Sequence, residues 1–150
     1  MGDLIWSLVL FVHILAATFW VGGQLMLAVV VMPLLRRSAR PELVRELARL
    51  AGRRFATLTN FGLLPALVMT GALLAWHDGV RFSNLNSTPF GRVLVVKVAL
   101  VAVVFVLAGL HGVAARRLSR RGVRGLAVAT VIWSVAILGL AAALAVLPGP

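Results

Sequence analysis

Four stretches of this chain, Leu4–Leu35, Phe55–Trp76, Val93–Ala115 and Gly125–Leu147, carry almost no charge, with Lys97 the one charged residue inside them. About 20 apolar residues cross a hydrocarbon core roughly 30 Å thick. Each stretch is long enough to do so, and the first is longer than it needs to be, so it must tilt or project. It is also too long for a signal-peptide core and lacks a basic leading segment. Lipid offers the backbone no hydrogen bonds, so the runs are expected as helices. Short connections make sequential helices antiparallel. The expected fold is all-α, an integral membrane antiparallel four-helix bundle. It forms a single domain over 1–150, with helices at about 4–35, 55–76, 92–116 and 125–147. Composition agrees: 61% of residues are hydrophobic and 13% charged, against about 45–50% and 25% in soluble domains.

The formal net charge of +11 would suit nucleic acid were it spread over a surface. It is confined instead. Seven arginines lie in 36–54 and five in 116–124, twelve of the fifteen basic residues. The intervening loop holds only Arg81 and Arg92. Such imbalance between alternate loops marks the cytoplasmic side. The expectation is a multi-pass protein of the cell's inner (plasma) membrane, with both termini outside and basic loops cytoplasmic. Its partners are then the lipid bilayer and anionic headgroups, with no nucleic acid. Trp6 and Trp76 fall near the expected outer ends, where indoles sit well. The chain contains no cysteine, which removes disulfides and thiolate metal sites.

Residues 36–54 read as a short surface helix or a cytoplasmic extension of the second span. Pro41 suits a first helical turn. Leu43, Leu47, Leu50 and Ala51 share one face, and Arg45, Arg49 and Arg53 line another. Residues 77–92 have the chemistry of a loop.

Polar side chains inside the runs are few: His13, Gln24, Asn60, Lys97 and His111, with some hydroxyls. Helix rise serves as a depth ruler. His13 lies about 13 Å below Leu4, Met69 about 10 Å below Trp76 and Lys97 about 9 Å below Gly91. These three share a level in the outer half. His111 lies about 30 Å below Gly91, near the other face. His13 and His111 are therefore not expected to ligate one iron. His13, Ala17, Trp20 and Gln24 form one stripe, and Gly22 and Gly23 allow close approach. Each residue also has a plainer reading: His13 as a hydrogen-bond partner between helices, Lys97 snorkelling to headgroups, Met69 and Trp20 as packing, His111 as an interfacial contact, and His77 beside Asp78 as loop polarity.

The segment from His13 through Trp20 to Gly23 resembles the first helix of CopD-type copper-resistance domains. Thr70–Trp76 and Thr88–Leu100 extend that likeness. The chain is also similar to the HemJ family of protoporphyrinogen oxidases. The similarity lies in the helix-one His followed by a Trp, Pro65-Ala66-Leu67-Val68, Lys97, and Leu110-His111-Gly112 followed by Arg116-Arg117. The resemblance spans about residues 5–120 and implies haem b in a four-helix bundle. It carries haem binding to His13 and activity to Lys97. Two features depart from HemJ: Leu34-Leu35-Arg36 stands where that family has a second His, and Gly125–Leu147 lacks its acidic residue.

The expected function is a haem-b-binding membrane redox protein, passing electrons or oxidising a porphyrin-type or quinone-type (quinol) substrate. His13 is the expected axial ligand, and Met69, placed by depth alone, would complete the pair. Trp20 and His111 are further cofactor-binding candidates. Lys97 is the catalytic candidate, its ammonium pairing with a propionate. The alternative is copper handling, since imidazole and thioether suit Cu(I). A third possibility is a non-catalytic subunit of a larger membrane complex, or a homo-oligomer.

Overall fold

The computed structural model describes the backbone of residues 2–38, 40–81, 83, 85–114 and 120–147, and their side chains except at 38, 108–114, 120–124 and 127. All regular structure among these residues is helical. Four segments are long and apolar enough to cross a membrane: Gly2–Arg37, Pro41–His77, Pro89–Leu107 and Val128–Val146. No spanning window has more than 17% of its residues buried. Their outward surfaces are apolar, as lipid requires of a spanning helix. The chain divides into two compact units, Met1–Ala75 and Trp76–Pro150.

The first unit is a pair of long helices. The first comprises α1 (Gly2–Leu25), a π-helical segment Met26–Val31 and α2 (Met32–Ser38). The second comprises α3 (Pro41–Leu58), a π-helical segment Thr59–Leu63 and α4 (Leu64–His77). Both π segments have the same sequence cause. A proline gives no N–H to the carbonyl four residues back, and its ring crowds that carbonyl. The residues four before Pro33 and Pro65 are Val29 and Phe61, and each lies inside a π segment. The wider turn accommodates the proline without ending the helix.

Hydroxyls in α1 are satisfied locally, Ser7 Oγ donating to Asp3 O at 2.8 Å and Thr18 Oγ1 to Ile14 O at 2.9 Å. This hides their polarity from lipid. Pro41 occupies the start of α3 behind an extended Arg40 (ψ 146°), the arrangement proline favours. The second long helix therefore begins at Pro41 and runs unbroken into the apolar segment, so residues 41–54 extend it.

The two long helices run antiparallel. His13 meets Thr70, Phe55 lies against Gly23, and Leu35 shares a cavity wall with Leu47. Between them lie buried Ala16, Trp20 and Val21 from α1, and Thr59, Leu64 and Thr70 from the second helix. A Cβ at Gly23 would meet the Phe55 ring, which would have to shift to admit it.

In the second unit, α4 ends in a turn at Gly79, whose φ of +81° favours glycine. Arg81 Nη1 donates to the carbonyls of Trp76 (3.1 Å) and Val80 (2.8 Å). α5 (Pro89–Ala114) starts on a complete N-cap. Thr88 Oγ1 accepts from Gly91 N at 3.0 Å, Thr88 O accepts from Arg92 N at 3.1 Å, and Pro89 takes the first turn. Gly91 is buried against the Leu85 backbone, which any Cβ would strike. α5 packs along α6 (Arg120–Val146), with Val104, Ser134 and Ile137 buried.

Candidate functional site

The feature of the first unit with chemical potential is His13. It is half-buried on α1, one and two turns from buried Ala16 and Trp20. Its Nδ1 lies 2.8 Å from Thr70 Oγ1 on α4. Thr70 Oγ1 is also in hydrogen-bond contact with Ala66 O at 2.5 Å and, more distantly, with Leu67 O at 3.5 Å.

Proton accounting assigns the tautomer. A threonine hydroxyl has one hydrogen and two lone pairs. An oxygen–oxygen contact as short as that to Ala66 requires the hydrogen to lie between them. Thr70 therefore donates to Ala66 and accepts from His13 Nδ1–H. In its neutral form the imidazole then carries its lone pair on Nε2. This is the arrangement that metal-ligating histidines use: one ring nitrogen donates to a protein oxygen, which fixes ring orientation and raises the basicity of the other.

Gly71 completes the seat. A Cβ there would stand 3.2 Å from His13 Cε1, tighter than ordinary contact. The Thr70-Gly71 pair thus supplies an acceptor and a bare backbone side by side. Sequence reasoning reached His13 and missed Thr70. The available signal was a hydroxyl beside a glycine in an otherwise apolar run, at nearly the depth of His13.

The other expected site residues are distributed as follows. Trp20 is 5% exposed and lies on the His13 side of α1. Met69 is 66% exposed. One helical step, about 100°, turns it away from the direction of Thr70. Lys97 is half-buried on α5, in the second unit. His111 belongs to α5, and its side chain lies outside the described residues. His77 and Asp78 are exposed, with Nδ1 and Oδ1 3.4 Å apart. Gln24 is half-buried and Asn60 exposed. Among the described residues no three His, Asp or Glu side chains gather as a metal cluster. Thr59, about three turns from Thr70 on the same long helix, has a buried hydroxyl without a hydrogen-bond partner among the described residues.

Two known proteins resemble the chain. It is 30% identical over 142 residues to the copper transport protein CutJ of Bacillus subtilis (strain 168), a match covering 93% of this chain and 25% of CutJ. It is 42% identical over 65 residues to an uncharacterized protein of Aquifex aeolicus (strain VF5), covering 43% of this chain and 44% of that protein. The chain thus spans about a quarter of one relative and under half of the other. No protein-family profile and no solved structure matches it. The four apolar helices and the likeness to a transport protein make this a multi-pass membrane protein in contact with the lipid bilayer.

Proposed function

We propose that the chain is a copper-handling membrane module in which His13 Nε2 binds the metal within the bilayer. The observation that carries this reading is the Thr70–His13 hydrogen bond, in which Nδ1 donates, so that Nε2 is the ring nitrogen that would ligate a metal. The likeness to CutJ over nearly the whole chain favours copper as the cargo. A neutral imidazole suits copper. The absence of an acidic cluster among the described residues suits a softly held ion in transit more than a resident hard cation.

Haem b is the rival occupant of the same imidazole. Its case rests on the HemJ likeness and on Trp20 sharing the His13 side of α1. Met69 would have to turn inward to serve as its second axial ligand. Lys97, the catalytic candidate of that reading, has no assigned part in copper binding.

In the proposed orientation the arginine-rich ends face the cytoplasm and both termini lie outside, following the loop charge. His13 then belongs to the outer half, where an incoming ion would first meet it.

The test is the content of full-length protein purified after expression with both copper and a haem precursor supplied. The expected result is copper at up to one equivalent with no Soret absorption. A Soret band without copper would assign the site to haem. Neither copper nor haem would leave the structural-subunit reading.

A further inference from the structure

The side of the second long helix that faces α1 changes its count along the chain. Phe55 and Thr59 face inward four residues apart, one half-buried and one buried. An unbroken α-helix would continue that stripe through Gly62, Ala66, Met69 and Leu73. Instead Gly62, Met69 and Leu73 are exposed, while the residues one later, Leu63, Thr70 and Leu74, are half-buried or buried. The offset arises in the π segment Thr59–Leu63, where Leu64 N–H reaches back five residues to Thr59 O. A π segment holds one residue more than α-helix of the same span. That extra residue supplies the rotation that brings Thr70, and not Met69, to His13.

Opposing effects act on this register. The His13–Thr70 hydrogen bond favours it. So does Pro65, whose ring would crowd Phe61 O in an α-helix. Against it, Thr59 at the head of the segment keeps a buried hydroxyl with no hydrogen-bond partner among the described residues. The α-helical alternative strands no side chain of α4. Thr70 Oγ1 donates to Ala66 O within its own helix and stays satisfied when that helix turns. Gly62, Ala66, Met69 and Leu73, which would then face α1, are all small or apolar.

We propose that the π segment is a register switch for the His13 site. When it tightens into α-helix, α4 turns by about 100° and each inward position passes to the preceding residue. Met69 takes the place of Thr70, and Thr70 that of Gly71. His13 Nδ1 loses its acceptor. A Cβ in the place of Gly71 stands 3.2 Å from His13 Cε1, so the ring must also shift. A ligating histidine without its supporting partner holds metal about 10–100-fold more weakly. The π register is the holding form and the α register the releasing form. The metal consequence rests on the copper reading, whereas the two registers do not.

The test is methyl NMR of the full chain in bilayer discs, with 13C-methyl methionine and a lipid carrying a nitroxide on its acyl chain. The Met69 signal is assigned by its loss in Met69→Leu. Register shifts of helices exchange in microseconds to milliseconds, so relaxation dispersion reports both forms. The expected major form has a Met69 methyl relaxed by the lipid nitroxide. The expected minor form is protected from it and shifted by the imidazole ring. Pro65→Ala, which removes the crowding of Phe61 O, should make the protected form the major one with helicity unchanged. Thr70→Val should raise its population about fivefold through loss of one hydrogen bond. Cu(I) should deplete it in the unaltered chain. A single lipid-exposed Met69 environment in the unaltered chain, Pro65→Ala and Thr70→Val alike would overturn the switch. Two forms whose balance ignores Cu(I) would overturn its coupling to metal and leave the registers standing.

Discussion

The two units solve the same problem, crossing a bilayer with paired helices, in different ways. The N-terminal pair carries a polar contact inside its interface, between His13 and Thr70, with Gly71 beneath the ring and Gly23 beneath Phe55. Both of its helices widen into π segments, and Thr59 is buried without a hydroxyl partner among the described residues. The second unit begins α5 on a complete Thr88-Pro89 cap and contains no π segment among its described residues. Its tight spot is Gly91 against the Leu85 backbone, where a loop closes on a helix. Irregularity in the first unit surrounds the imidazole that we propose as the copper ligand. Constraint in the second fixes where a span starts. The proposed copper site therefore lies in the first unit, and the second supplies framework under that proposal.

Substitutions separate the two roles. The largest effect is expected from His13→Ala, which removes the ligand: copper affinity should fall more than about 100-fold, beyond the range for losing a supporting partner, with unchanged helicity by circular dichroism. Thr70→Val should weaken copper by about 10–100-fold, because the ring loses its acceptor and its fixed tautomer. Thr70→Ser should restore most of that affinity. If valine were harmless, the hydrogen bond would be incidental packing and the functional contrast between the units would fail. Gly91→Ala should have the opposite profile. It forces a Cβ into backbone and should cost about 1–3 kcal/mol of stability, read as a lower melting temperature in detergent, while copper bound per folded molecule stays constant. Met69→Leu should do least, within about 0.5 kcal/mol in stability because the side chain is exposed, and copper binding should be unaltered. A large loss of copper in Met69→Leu would show that the thioether turns inward, and would reopen the haem pairing as well.

Hydropathy made the four spans legible, because lipid allows an apolar run only one secondary structure. Helix rise made the level of His13 legible too. It set His13 about 13 Å from Leu4 and Met69 about 10 Å from Trp76, and the partner of His13, Thr70, is the residue after Met69. Depth says nothing about which side of a helix faces a neighbour, and one residue of rotation separates an exposed thioether from a buried hydroxyl. That rotation is set by close approaches at Gly23 and Gly71, which depend on both helices together. The start of the second long helix was obscured for another reason. Arginines of α3 interrupt the apolar run without interrupting the helix, since they lie beyond the hydrocarbon. Proline ordinarily breaks or kinks a helix interior, and the π segments show how both long helices continue through Pro33 and Pro65.

The central claim, that His13 held by Thr70 binds copper through Nε2, is tested most directly by copper-edge X-ray absorption on the full-length protein loaded with one equivalent of copper. The predicted spectrum contains imidazole scattering that disappears in His13→Ala and weakens or becomes disordered in Thr70→Val. An imidazole signal unchanged in His13→Ala, or a spectrum without imidazole in the unaltered protein, would contradict it.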